Sequence, residues 1–179
     1  MFLRCLLLVS CVQARVTPRQ TTMKRSSTSL SAEIIGSGRI GSLVAETGDC
    51  TVLGRDDAID PGKGGEPIII CTRNDALAGI VGKCPENRRP DLVFLQNGYL
   101  DNFLDTYGLT DNTQVLLYLS VPKLGAEPVD GVTSVNPEGL TAATGVHAKA
   151  FADRLAKLNM KCKVVSADDY RPSMFEKLM

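Results

Sequence analysis

A chain of 179 residues with 44% hydrophobic composition carries enough apolar material for one compact domain with a core, and hardly for two. Lys and Arg number 20 and Asp and Glu number 20, so the net charge makes no electrostatic case for nucleic acid or an anionic membrane surface. A small molecule is the expected partner.

The charge is unevenly spread. No Asp or Glu precedes Glu33, while Arg4, Arg15, Arg19, Lys24 and Arg25 all fall before it. Residues 1–32 therefore read as a targeting leader, disordered or cleaved. A short cationic start and an apolar run from Cys5 to Val12 suit a signal peptide, and that run is too short to span a bilayer. The acid-free, Ser-, Thr- and Arg-rich stretch from Arg15 to Ala32 has the composition of an organelle transit peptide. Such a two-part leader resembles those of algae with complex plastids and implies import into a plastid. The alternative is initiation at Met23 and a cytoplasmic product.

From Glu33 to Met179 short β-rich apolar runs alternate with helical stretches, the pattern of parallel strands joined by crossover helices. The expected fold is a Rossmann-type, doubly wound α/β domain with a mostly parallel sheet. Strands are expected over Glu33 to Ile35, Cys50 to Leu53, Pro67 to Cys71, Leu92 to Leu95, Val115 to Ser120 and Cys162 to Val165. Unbroken apolar runs such as Ile68-Ile69-Ile70 suit strands covered on both faces. Helices are expected over Arg39 to Glu46, Ala76 to Lys83, Leu100 to Tyr107 and His147 to Leu158. In the last, Val146, Ala150, Phe151, Leu155 and Leu158 form one apolar stripe. Arg55 to Glu66, with Pro61 and three glycines, reads as a loop standing where a helix is usual.

Directly after the first strand comes Gly36-Ser37-Gly38-Arg39-Ile40-Gly41. In that setting the first glycine permits a tight turn, the second lets backbone approach a diphosphate, and the third lets the helix pack closely on the strand. In NAD-binding folds of this kind an acidic residue ends the second strand and accepts the ribose hydroxyls. Here the strand ends in Gly54-Arg55, which leaves room for a 2′-phosphate and offers a guanidinium to grip it, favouring NADP. Asp56 and Asp57 follow at once and take the ribose role if the strand runs a residue or two longer. Thr72-Arg73 after the third strand and Asn97-Gly98 after the fourth fall at the carboxyl edge, where ligands of such sheets bind.

The four cysteines beyond the leader (Cys50, Cys71, Cys84, Cys162) lack Cys-x-x-Cys spacing and read as free thiols, with no metal site. His147, the single histidine, reads as structural, and no Ser or Cys stands in a nucleophile elbow.

The ordered set of the glycine motif, a basic residue closing the third strand (Arg73), Asn97-Gly98 and Phe175-Glu176-Lys177-Leu178 resembles the nucleotide-binding half of the ketopantoate reductase family. That family more often has Lys at the position of Arg73 and Trp at that of Phe175. The resemblance implies NADPH-dependent reduction of a 2-keto acid, with Lys177 protonating the forming alkoxide and Asn97 orienting Lys177 and the nicotinamide ribose. It also implies a helical C-terminal domain that would begin near Met179. Lys177 stands two residues from the end of the chain, where fraying is expected. The competing reading is a non-catalytic NADP-binding module, a sensor or scaffold.

Overall fold

The structure, a computed structural model, describes residues 31–178. The leader expected over residues 1–32 lies almost wholly outside them.

Seven strands form one sheet in the order β2-β1-β3-β4-β5-β8-β9. The first five are β1 (Ala32–Ile35), β2 (Cys50–Leu53), β3 (Ile68–Ile70), β4 (Leu92–Phe94) and β5 (Thr113–Leu116), all parallel. They alternate with α1 (Arg39–Ala45), α2 (Leu77–Lys83) and α3 (Asp101–Thr106). The order 2-1-3-4-5 is one of the two common doubly wound arrangements, and its winding reverses between β1 and β3. The reversal is made by residues 54–67, which hold one 3-10 turn at Pro61–Lys63, as the glycines and proline of that stretch led one to expect.

The side chains explain why the sheet takes a helical layer on each face. Successive residues of a strand point to opposite sides. Ile34, Ile69, Val93 and Val115 pack with Leu43 and Val44 of α1 on one face, while Ile35, Ile68, Ile70, Leu92 and Phe94 pack with Leu77, Val81 and Leu104 on the other. Ile34, Ile68, Ile69 and Ile70 are fully buried, and each such side chain stabilises the fold by about 1.5–3 kcal/mol.

Beyond β5 the expectations need correction. The strand expected over Val115 to Ser120 is two elements. β5 ends at Leu116, and Leu119–Ser120 (β6) leaves the sheet to pair antiparallel with Val129–Asp130 (β7). The backbone departs where the Tyr118 N–H donates to Thr141 Oγ1 (3.0 Å). A strand absent from the sequence reading, β8 (Ala142–Thr144), adds antiparallel to β5, because Ala-Ala-Thr carries little β signal. It is followed by α4 (Ala148–Ala156), β9 (Lys163–Val164) and α5 (Ala167–Leu178). Ala148, Phe151 and Leu155 bury the face of α4, but Val146 precedes the helix and is 46% exposed.

A buried ionic cluster lies at the amino ends of the strands. Arg88 donates to Glu33 Oε2 (2.8 Å), to Asp91 Oδ2 (2.9 Å), to the Glu66 carbonyl (3.0 Å) and to the Asp60 carbonyl. His147 Nε2 meets Asp91 Oδ1 at 3.1 Å, and its backbone N–H donates to Thr113 Oγ1. His147 is thus built into the edge of the sheet opposite the glycine turn, in keeping with a structural role.

Candidate active site

Gly36 turns out of β1 with φ +105°, a value that L side chains rarely adopt. Gly38 caps α1 in extended conformation, and a Cβ built there would meet nothing within 4 Å. A Cβ at Gly41 would lie 1.9 Å from the Gly36 carbonyl oxygen, so α1 is seated directly on the turn. The three glycines therefore differ in role: conformation at Gly36, open approach at Gly38, close packing at Gly41. Gly41→Ala is expected to lower unfolding stability by at least about 1–3 kcal/mol through overpacking. Gly38→Ala should cost under about 1 kcal/mol. Urea unfolding of both proteins checks this, and equal losses would contradict the packing at Gly41.

Arg39 points away from the turn, donating to the carbonyls of Val121 (2.9 Å) and Pro122 (3.4 Å), and so ties the segment after β6 to the motif. Ile40, from the same motif, lines a cleft of about 580 Å³ along the carboxyl ends of β3, β4 and β5. Cys71, Thr72, Arg73, Gln96, Asn97 and Leu117 share its lining. Arg73 is largely exposed and pairs with Asp75 at 3.4 Å. Burial pushes the Cys71 thiol up to about 12, so it stays protonated and is no nucleophile. Gln96 donates from Nε2 to the Ile70 and Thr72 carbonyls (2.9 and 3.2 Å), and Asn74 Nδ2 donates to the Asn97 carbonyl (3.3 Å). These bonds fix the loops after β3 and β4 to one another.

Lys177, on α5, bonds two residues of this cleft's lining. Its Nζ donates to Asn97 Oδ1 (2.7 Å) and to the Leu117 carbonyl (2.6 Å), and stands 4.6 Å from the centre of the Tyr118 ring. Burial lowers the Lys177 pKa below the ordinary lysine value, and burial followed by Glu176 raises that of Tyr118, which leaves a neutral ring to face the cation. The fraying expected at this position is opposed by packing. Tyr170 and Met174 are buried against Leu116 and Ala142, Phe175 stacks on Tyr99 at 5.9 Å, and Arg171 bonds Asp101 Oδ2 at 2.7 Å. Asn97 and the Thr72 loop thus share one cleft, and Lys177, distant in sequence, is bonded to two residues of its lining, Asn97 and Leu117. The contribution of Gln96 was not read from the sequence beyond its place in the loop after β4.

Arg55 lies outside the cleft lining, exposed just past β2, with its carbonyl accepting from Lys83 Nζ (3.4 Å). Asp57, rather than Asp56, returns to the end of β2, where its Oδ2 accepts from the Gly54 N–H (2.7 Å). The dinucleotide expected here fits these residues at the open face of Gly38, where a Cβ would meet nothing within 4 Å, beside a cleft that Ile40 of the same motif lines.

The sheet order, the glycine turn after β1 and the cleft at the carboxyl edge define a Rossmann-type α/β domain. Solved structures with this architecture include an imine reductase from Aspergillus terreus, 17% identical, covering 85% of this chain and 60% of that chain at a TM-score of 0.55. D-mandelate dehydrogenase in complex with NADH is 13% identical over 82% of this chain and 58% of that chain, at 0.50. A probable 2-dehydropantoate 2-reductase from Bacillus subtilis, a ketopantoate reductase, is 16% identical over 83% and 62%, at 0.48. At these identities the likeness is one of fold, and the chain spans less than two thirds of the length of each. No protein-family model matches the chain, and no curated protein matches it in sequence.

Proposed function

We propose that this domain binds NADPH and serves the reduction of a small 2-keto acid to the 2-hydroxy acid. The observation that carries the reading is the hydrogen bond of Lys177 Nζ to Asn97 Oδ1, 2.7 Å, where Asn97 lines the carboxyl-edge cleft that Ile40 of the glycine motif also lines. The fold neighbours above support it in kind, being an imine reductase and a dehydrogenase solved with NADH.

The cofactor, when bound, supplies the hydride. The backbone of Gly36 to Gly41 receives its diphosphate, with Gly38 leaving the approach open, and Arg55 grips the 2′-phosphate. Thr72 and the Asn97-Gly98 turn hold its other half. Lys177 holds a proton at Nζ and passes it to the oxygen that becomes the hydroxyl, and the amine regains a proton from solvent. Asn97 acts as a positioning residue, with the Leu117 carbonyl as a second fixed acceptor, so the ammonium is aimed before substrate arrives. Its lowered pKa eases the transfer.

The experiment that tests cofactor choice is a fluorescence titration of both reduced cofactors. NADPH is expected to bind about 10–100-fold more tightly than NADH, the worth of charged hydrogen bonds to one phosphate, and Arg55→Ala should erase the difference. Equal affinities in the unmutated protein would remove Arg55 from the site and turn attention to Asp57 as a ribose acceptor. Tight NADPH binding without turnover of any 2-keto acid would leave a cofactor-binding module.

A further inference from the structure

A second cavity, of about 530 Å³, lies between α3 and α5 over β5 and β8, and it shares no lining residue with the carboxyl-edge cleft. Small-molecule sites usually measure roughly 300–1,000 Å³. Its floor is polar where a sheet face under two helices is ordinarily sealed by apolar side chains. Gln114 of β5 and Thr144 of β8 stand opposite one another in register, and both line the cavity. Thr144 and, from α5, Tyr170 are only 7% and 6% exposed, yet neither hydroxyl has a hydrogen-bond partner among the described residues. Buried polar groups are nearly always paired. Neither hydroxyl is sealed off, since the fully enclosed unpartnered atoms are Thr72 Oγ1, Arg89 Nε and Gln96 Oε1. Both residues line the cavity, which is where each hydroxyl finds its opening.

The charge of the lining says what would enter. Asp101, Asp105, Asp111 and Asp168 line the cavity against a single cation, Arg171, which Asp101 already holds at 2.7 Å. Asp105, Asp111 and Asp168 take part in no ion pair among the described residues. Burial, then the Asp101 carboxylate, raises the Tyr170 phenol above its ordinary pKa, so the hydroxyl stays neutral in that carboxylate's field. A cation is the complementary ligand. Its shape follows from how the acids are spread. Among the described residues no three carboxylates converge as a metal ion requires, so separated charges on an extended molecule suit them better than one compact ion. Leu104 and Met174, also in the lining, offer apolar surface for the hydrocarbon between such charges.

We infer that the cavity between α3 and α5 is a second binding site, for a linear polyamine whose ammonium groups meet the unpaired carboxylates while one amine donates to the Thr144 hydroxyl on the floor. The site stands apart from the cofactor reading, since none of its residues serves that cleft.

Calorimetric titration of the full chain with spermidine as the probe tests this. Saturable binding of one molecule per chain is expected, and n-butylamine, with a single charge, should bind at least about tenfold more weakly. Asp105→Asn and Asp168→Asn together should weaken spermidine about tenfold or more. Thr144→Val removes the unpartnered hydroxyl at nearly constant volume. It is expected to leave the melting temperature of the free protein unchanged or raised, and to weaken spermidine about three- to tenfold, the worth of one hydrogen bond. Glu127→Gln, at an exposed acid outside the lining, measures general attraction of cations and should change nothing. Absence of saturable binding to the unmutated protein would overturn the inference. So would a loss in Glu127→Gln as large as in the double Asp variant, or full affinity in Thr144→Val. Displacement of spermidine by an equal concentration of magnesium would overturn the extended-cation class.

Discussion

Replacing Arg88 by Met is expected to lower the unfolding free energy by about 3–5 kcal/mol, the usual cost of removing one partner from a buried ion pair. Arg88 is wholly buried and contacts two carboxylates, Glu33 and Asp91, and the carbonyls of Asp60 and Glu66. Methionine fills much of the same space yet offers none of the donors. Two buried carboxylates then face each other's field without a cation, and two carbonyls lose their partners. A domain whose whole stability is about 5–15 kcal/mol does not absorb this easily. The cluster also joins parts distant in sequence. Glu33 begins the sheet, Asp60 and Glu66 belong to the β2–β3 connection, and Asp91 ties the same cation to His147 at the start of α4. Urea unfolding of Arg88→Met, and of the triple variant Arg88→Met, Glu33→Gln, Asp91→Asn, measures the effect. The triple variant should recover part of the loss, because the uncompensated charges are gone. A single-mutant loss below about 1 kcal/mol would show that the cluster does not hold the amino edge of the sheet together.

Lys177→Met is expected to reduce single-turnover oxidation of NADPH by the best 2-keto acid about 10²–10⁴-fold, the range for a positioned general acid. NADPH affinity should stay within about threefold, since in the proposed reaction the proton would go to substrate and not to cofactor. Asn97→Ala should lie between, because Nζ keeps the Leu117 carbonyl and the Tyr118 ring as guides but loses one acceptor. The pH profile carries a second check. In the proposed reaction the ammonium is the donating form, so the rate should be full below the Lys177 pKa and decline above it. Burial places that pKa under the ordinary lysine value of 10.5, and the decline should therefore begin below the pH expected of an exposed lysine. In Lys177→Met this limb should vanish. Turnover that survives Lys177→Met with an unchanged alkaline limb would exclude Lys177 as the proton donor.

Much of this is legible in the sequence because the determining signals are local. Ile68-Ile69-Ile70 and Leu92-Val93-Phe94 announce strands buried on both faces, and both lie in the core at zero or near-zero exposure. Gly36, Gly38 and Gly41 announce a turn that no other spacing satisfies, since each answers to a backbone requirement a few residues wide. The Arg55 to Glu66 connection reads as a loop from its glycines and proline alone. The excess over these readings arose where the deciding partner is remote. The antiparallel β8 has a bland sequence and forms because β5 presents an unpaired edge to it. The expected strand over Val115 to Ser120 splits because Thr141, some twenty residues later, captures the Tyr118 N–H.

What the sequence determined by itself is the class of fold, the place of the glycine turn and the residue types at the carboxyl edge, because periodicity, turn chemistry and motif spacing act over a few residues. Only the tertiary structure decided which of those residues meet. It brought Lys177 to Asn97 across 80 positions, buried Arg88 against Glu33 across 55, and returned Asp57 rather than Asp56 to the end of β2. It also left Thr72 Oγ1 and Gln96 Oε1 buried with no hydrogen-bond partner among the described residues. Such pairings depend on how elements dock, and a side chain's charge, pKa and free hydrogen-bonding capacity are set by the neighbours that docking supplies.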